Sequence, residues 1–142
     1  MRAELTIEIE RPVDDVFAYL TDVSNLPEWQ SGVEEAHVEG GELGAGGRVV
    51  ERRRLLGRTM KHELEVTAYE PPRVFALRAS GGPVAFEVTH TLDDVAGRTR
   101  LRVDGDIDSA ALPGFMLGIA AKRAEKQFRS DFERLKRVLE AR

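Results

Sequence analysis

The 142-residue chain contains no cysteine, only three histidines and few aromatic residues, which make up 6% of it. The absence of cysteine excludes disulfide bonds and thiolate chemistry and makes the cytoplasm the default expectation. No apolar run reaches the roughly 18 residues of a membrane span, and the first residues lack the apolar region of a signal peptide. We therefore expect no integral membrane association.

Metal and phosphate chemistry also lack their usual residue patterns. No two histidines have the spacing of a helical metal site, so we expect no metal and no other cofactor. No glycine-rich loop leads from a strand into a helix, and no serine lies in the sharp turn that a Ser-His-Asp system needs. The net charge of −4 and the absence of a basic block argue against nucleic-acid binding.

The most regular pattern that is present lies at residues 112–142. Apolar side chains recur there at three- and four-residue steps, which predicts a helix about 40 Å long. A helix of this length must lie across another layer of structure. Its opposite face, which includes Asp131, is rich in charge and predicted to be solvated. The apolar stripe comprises Phe115, Met116, Ile119, Ala120, Ala124, Phe128, Phe132, Leu135 and Leu139.

The residues before this helix predict strands and two short helices. Alternating apolar and polar residues predict a strand at 3–10, and Pro12 is suited to the first turn of the helix that follows. A second short helix is expected around residues 25–29. Short turns between the later strands indicate an antiparallel meander. The remaining strands are predicted at 33–39, 48–56, 59–70, 73–80, 84–93 and 98–107.

This order predicts an α+β fold in one domain, residues 1–142. A curved, seven-stranded antiparallel sheet wraps around the C-terminal helix, and the two short helices lie between strands 1 and 2. The hydrophobic content of 42% and the length are sufficient for a proper core.

Five segments carry a resemblance to a known superfamily: RPVDDVF at 11–17, DVSNLPEW at 22–29, LGR at 56–58, YEPPR at 69–73 and GRT at 97–99. With the opening strand, they resemble the START/Bet v 1-like (SRPBCC) superfamily, and within it the polyketide cyclase/dehydrase-like bacterial proteins. The resemblance covers essentially the whole chain. It implies a helix-grip fold with a cavity between the sheet and the C-terminal helix, which usually holds an apolar small molecule. It implies no shared catalytic motif.

Strand alternation predicts which side chains face such a cavity. Trp29, the only tryptophan, lies in the region that borders the cavity mouth in the superfamily. The start of the long helix is the candidate lid. For each apolar residue, plain core packing is the alternative. The predicted ligand-binding residues are Trp29, Met60, His62, Leu64, Leu77, Phe86, Val88, Leu101, Phe115, Met116 and Ile119.

Three polar residues, Glu51, Arg53 and His62, are predicted to share the concave face of the sheet. A two-residue turn at 57–58 would pair Arg53 with His62 and Glu51 with Leu64. Buried charges are costly unless paired, so the trio predicts a polar patch in a pocket. One further residue in the turn would direct Glu51 and Arg53 outward. We expect the trio to orient a polar group of a ligand, and its alternative role is catalysis with His62 as general acid/base.

The other inward-facing histidine, His90, is not expected to act together with His62. A two-residue turn at residues 71–72 places His90 near Arg73, so that eight strand residues, about 26 Å, separate the levels of the two histidines. We therefore expect His90 to be a hydrogen-bonded residue at the rim of the sheet.

Three functions fit these patterns, and we prefer the first. It is the binding of an apolar or amphipathic small molecule, such as a lipid, an isoprenoid or an aromatic polyketide-like compound. The second is a metal-free enzyme of the polyketide cyclase/dehydratase type that uses His62. The third is a protein-interaction module that uses a sheet edge or groove. We expect a monomer or a homodimer.

Overall fold

A computed structural model describes residues 2–55, 57–79, 85–108 and 114–142. These residues form one seven-stranded antiparallel sheet and three α-helices, so the predicted fold class is confirmed. A 3-10 turn at Val23–Asn25 leads into the second helix. In chain order the elements are β1 (Arg2–Ile9), α1 (Val13–Thr21), α2 (Leu26–Trp29), β2 (Val33–Val38), β3 (Arg48–Leu55), β4 (Arg58–Glu70), β5 (Val74–Ala79), β6 (Ala85–Val95), β7 (Arg98–Asp108) and α3 (Gly114–Glu140).

The sheet is a meander from β2 to β7, with β1 added beside β7. Its strands are longest where the turns are tight. Ala96 and Gly97 form the β6–β7 turn with positive φ angles of 54° and 84°, as a two-residue hairpin requires. The sequence predicted a longer connection that ended β6 at residue 93. The strand in fact continues to Val95, because Ala96 and Gly97 suffice for the turn.

The core lies between the concave face of the sheet and the three helices. Helix α1 begins directly after Pro12, as predicted, and buries Val16, Phe17 and Leu20. Helix α2 buries Leu26 and Trp29. The α2 segment contacts both β2 and α3, so it closes one end of the space under the sheet.

Among the α3 side chains that the structure describes, the buried apolar ones lie in the C-terminal half. Phe132, Leu135 and Leu139 are buried there, and the helix contacts β1 and α2. The helix approaches β7 at Gly105, where a Cβ atom would lie 3.3 Å from Cε2 of Phe128. A larger residue at that position would push Phe128 away from the sheet.

The N-terminal half of α3 differs from the sequence-based prediction at Ile119. This residue was predicted to belong to the apolar stripe, but it is 63% exposed. Ile119 precedes Phe128 by nine residues, about 13 Å along the helix axis, and so lies outside the packed C-terminal half. No helix in the described part of the chain has the length and apolar character needed to cross a membrane.

Candidate functional site

A cavity of about 280 Å³ lies between the sheet and the helices. Strands β3 to β7 form its floor, the segment from α1 to α2 forms one wall, and α3 contributes the other. Most of the lining is apolar and aromatic, as in most small-molecule sites. The lining aromatic residues are Trp29, Phe75, Phe86, Phe128 and Phe132.

Six of the predicted ligand-binding residues line this cavity: Trp29, His62, Leu64, Leu77, Phe86 and Val88. Strand alternation found the sheet residues because side chains two apart face the same way. Phe115 and Met116, the candidate lid residues, lie outside the residues whose side chains are described.

Three predicted residues are not among the lining residues. Leu101 is fully buried and lies between Ile7 and Leu92 in the sheet, so it belongs to the core. Met60 lies two residues into β4, at the end of the β3–β4 hairpin and beyond the cavity. Ile119 is largely exposed on the N-terminal half of α3.

The polar wall of the cavity is formed by Glu51, Arg53 and His62 with Gln30 and the indole N–H of Trp29. The side chain of Glu51 is 1% exposed and that of Arg53 is 19% exposed, so both face inward as predicted. Arg53 Nε donates to Glu51 Oε1 at 2.9 Å, and Arg53 Nη2 donates to Gln30 Oε1. The guanidinium is therefore held between a carboxylate from its own strand and an amide that follows α2.

The strand register that produces this wall differs from the predicted one. Glu51 lies opposite His62 and Arg53 opposite Met60, because β4 already begins at Arg58. The prediction had paired Arg53 with His62. The difference shifts the pairing by two residues, and an even shift keeps every side chain on the same face. The three side chains therefore face the cavity, as predicted, although the pairing of β3 with β4 differs from the predicted one.

Several buried polar atoms of this wall have no hydrogen-bond partner within the described part of the protein. They are Glu51 Oε2, Trp29 Nε1 and both ring nitrogens of His62. The separation of 3.6 Å between His62 Nδ1 and Glu51 Oε1 is too long for a hydrogen bond. Buried polar groups are nearly always paired in folded proteins, so such a concentration makes this wall the candidate functional site.

The sequence analysis missed Asp131, which it placed on the solvated face of α3. Asp131 is 6% exposed and lines the cavity. Its Oδ1 accepts hydrogen bonds from the Ser31 backbone N–H at 3.1 Å and from Gln127 Nε2 at 2.7 Å. Burial raises the pKa of Asp131, and these two bonds and the charge of Arg53 oppose that rise. Helical periodicity cannot reveal that the segment after α2 covers this face.

His90 is buried, whereas the sequence predicted it at the rim of the sheet. It is 4% exposed and lines the cavity. Its ring stacks on Phe75, with centroids 5.8 Å apart, and also contacts Phe132. Burial lowers the pKa of His90 to about 4, against the opposing effect of its bond to the Phe75 carbonyl. His90 is therefore neutral near pH 7.

The hydrogen bond of His90 was predicted correctly and fixes its tautomer. The Phe75 carbonyl can only accept, so His90 Nδ1, 2.8 Å away, carries the hydrogen. The neutral ring then has an acceptor at Nε2.

The two histidines lie at different levels of the cavity. His90 is opposite Phe75, whereas Leu64, two residues from His62, is opposite Ala79. Along the strands, the positions of His62 and His90 are therefore six residues apart, roughly 20 Å. The predicted spacing was eight residues, because the prediction placed His90 near Arg73, whereas β6 pairs with β5 so that His90 lies opposite Phe75. In either register the two rings do not form a catalytic pair.

Within the described residues, no group of three or more histidine, cysteine, aspartate or glutamate side chains could hold a metal ion. The cavity has both apolar and polar lining side chains. Its apolar lining can enclose a ligand, and its buried polar wall can orient a polar group of that ligand or transfer a proton.

The fold and the cavity define a START/Bet v 1-like (SRPBCC) protein with a helix-grip architecture. Residues 1–140 match the family described as polyketide cyclase/dehydrase and lipid transport, and the chain belongs to that family.

Sequence relatives and solved structures agree with this assignment. An uncharacterized protein of Mycobacterium tuberculosis is 30% identical over 125 residues, 87% of each chain. The Zhui aromatase/cyclase from Streptomyces sp. R1128 has a TM-score of 0.79 at 18% identity, over 99% of this chain and 93% of that one. Ara h 8.0201 has a TM-score of 0.75 at 12% identity, over 100% of this chain and 99% of that one. These structural likenesses show the fold.

Proposed function

We propose that the protein binds an apolar or amphipathic small molecule in the cavity between the sheet and α3. The observation that carries the proposal is the cavity of about 280 Å³, close to the lower end of the range of about 300–1,000 Å³ for small-molecule sites. Its apolar lining would bury the body of a lipid, an isoprenoid or an aromatic compound. Its polar wall would orient one polar group. We expect the binding to take place in the cytoplasm.

The family and its neighbours support a role of this kind. The family description includes lipid transport as well as polyketide cyclases and dehydrases. Both activities require an enclosed apolar site. The residues that we propose to contact the ligand are Trp29, His62, Leu64, Leu77, Phe86 and Val88.

A cavity-filling substitution tests the proposal. Val88 lines the cavity from the middle of β6, and Val88→Phe would occupy part of its volume. We expect 1-aminoanthracene, an uncharged fluorescent probe for apolar sites, to bind the unaltered protein saturably. Val88→Phe should weaken this binding about tenfold or more, since even one methylene misplaced in an apolar pocket costs about 10- to 200-fold.

The matched control is Thr89→Phe, which adds the same side chain on the opposite face of the same strand. It should leave the affinity for the probe unchanged. Equal losses in the two variants, or no saturable binding to the unaltered protein, would contradict the proposal. Thermal unfolding of both variants establishes that they are folded.

His62 supports a second candidate function, the cyclase/dehydratase type of enzyme. It is 5% exposed, lies beside Glu51, and neither of its ring nitrogens has a partner within the described residues. Such a site could take a proton from a carbon between two carbonyl groups. That carbon would then bond to the carbon of a further carbonyl group and close the ring, the new alkoxide would take the proton back, and loss of water would form a double bond in the ring.

A linear poly-β-ketone thioester distinguishes the enzyme from the binding protein. For an enzyme, cyclisation should exceed the uncatalysed rate and fall about 100-fold or more in His62→Gln, with binding retained. If the thioester cyclises no faster with the unaltered protein than without it, the enzyme hypothesis is wrong and binding remains the proposed function.

A further inference from the structure

The buried polar wall also indicates which kind of polar group the ligand carries. Trp29 Nε1 is a hydrogen-bond donor, and Glu51 Oε2 is an acceptor in the carboxylate that pairs with Arg53. Both residues are 1% exposed and line the cavity, and both atoms lack a partner within the described residues. His62 adds a donor and an acceptor when its ring is neutral. The wall therefore offers both kinds of hydrogen bond.

The charge of the wall disfavours an anionic ligand. Arg53 is the only lysine or arginine among the described residues that line the cavity. Its charge is already paired with Glu51 at 2.9 Å, and Gln30 accepts a further hydrogen bond from it. A carboxylate or phosphate on the ligand would have to share this single guanidinium with the buried Glu51 carboxylate, which places two anions beside one cation.

A cationic ligand is disfavoured for a different reason. The Glu51 carboxylate already has a cationic partner. Asp131, the other buried carboxyl group of the lining, already accepts hydrogen bonds from Ser31 and Gln127, and an unpaired charge in an apolar cavity is costly. An uncharged hydroxyl group adds no charge and is both a donor and an acceptor, the two kinds of partner that Glu51 Oε2 and Trp29 Nε1 lack within the described residues. A purely apolar ligand would leave those atoms unpaired.

We propose that the natural ligand is an uncharged molecule with a hydroxyl group, phenolic or aliphatic, which the wall of Trp29, Glu51 and His62 recognises. This inference rests on the proposed binding function and narrows its ligand class. Among the candidates it favours hydroxylated aromatic compounds and isoprenoid alcohols over fatty acids and phospholipids. The aromatic lining of Phe75, Phe86 and Phe128 surrounds the rest of the molecule.

Matched probes test the proposal on the unaltered protein by calorimetric titration at pH 7. 2-Naphthol carries the hydroxyl, 2-methylnaphthalene replaces it with a methyl group of similar size, and 2-naphthoate carries a carboxylate. We expect 2-naphthol to bind about tenfold or more tightly than either of the others, the effect of one or two buried hydrogen bonds. Geraniol and its hydroxyl-free analogue 2,6-dimethyl-2,6-octadiene form a parallel pair for an aliphatic alcohol.

Two substitutions locate the effect in the wall. Glu51→Gln and Trp29→Phe should each reduce the preference for 2-naphthol over 2-methylnaphthalene at least about threefold, since each removes one hydrogen bond to the hydroxyl. Glu63→Gln is the matched control, because Glu63 follows His62 on the same strand but lies half-exposed on the outer face. It should leave the preference unchanged.

The possible outcomes separate this inference from the proposed function. A preference for the hydroxyl in either pair supports the inference, and the pair with the tighter hydroxyl compound identifies a phenol or an aliphatic alcohol. Equal binding within both pairs, or tightest binding of 2-naphthoate, overturns the inference and leaves the binding function standing. Failure of every probe, 1-aminoanthracene included, overturns both.

Discussion

His90 is a neutral histidine enclosed by Phe75 and Phe132. Its pKa falls from 6.5 to about 4 in the folded protein because burial disfavours the charged ring. The unfolded chain therefore takes up a proton at a higher pH than the folded one does. The stability due to the neutral ring is fully present above pH 6.5 and is lost as the pH falls through 4.

This difference predicts an acid-sensitive fold. Between pH 7 and pH 4, the free energy of unfolding should fall by about 3 kcal/mol more in the unaltered protein than in His90→Gln. Glutamine can still donate to the Phe75 carbonyl, but it does not titrate. Urea unfolding of both proteins at the two pH values measures the difference. An equal fall in both would show that His90 is not protonated during acid unfolding.

Single residues also show how far the sequence could predict the site. The inward direction of Glu51, Arg53 and His62 followed from alternation alone, because a two-residue change in register preserves the face. Asp131 could not be found in this way. A charged residue on an amphipathic helix is ordinarily solvated, and only the folded position of Ser31 gives Asp131 a buried partner.

The junction between α2 and β2, residues 30–32, positions two polar side chains of the cavity, Arg53 and Asp131. Gln30 and Ser31 contact Arg53 and Asp131, and Gly32 follows with a φ of +89°. The Gly32 carbonyl accepts a hydrogen bond from the Arg54 backbone N–H at 2.7 Å, which fixes the junction to β3. A Cβ atom on Gly32 would lie 3.2 Å from the Arg54 carbonyl oxygen.

Gly32→Ala should therefore lower the free energy of unfolding by about 2 kcal/mol or more, through backbone strain and this close contact. Gly41→Ala is the matched control. Gly41 has a similar φ of +84°, but a Cβ atom there would meet nothing within 4 Å, so its loss should be about 1 kcal/mol. Denaturant unfolding compares the two. Equal losses would mean that the approach of Gly32 to β3 has no energetic cost.

At the level of elements, the sequence predicted the order of strands and helices correctly and their ends less well. Strand ends depend on the turn that follows. The Ala96–Gly97 turn extends β6 to Val95, two residues beyond the prediction. The β4–β5 connection needs residues 71–73, and the bulge between Val66 and Ala68 restores the predicted pairing of Leu64 with Ala79. Neither bulges nor turn lengths follow from alternation.

The whole molecule is a sheet and a long helix that enclose a cavity, and the resemblance predicted this arrangement from sequence segments. The match of residues 1–140 to the family confirms the resemblance, and the structure confirms the sheet and the long helix. Periodicity was wrong about one residue of the apolar stripe of α3. The apolar pattern continues to Ile119, which is 63% exposed, because the packing of a helix depends on the extent of the layer below it.

Native mass spectrometry of the purified protein, followed by organic extraction, tests the central claim of a ligand-binding cavity most directly. We predict a reproducible added mass that extraction identifies as an uncharged, largely apolar compound with a hydroxyl group, and its loss from Val88→Phe but not from Thr89→Phe. A protein that carries no added mass and shows no thermal shift with a broad panel of apolar compounds would contradict the claim.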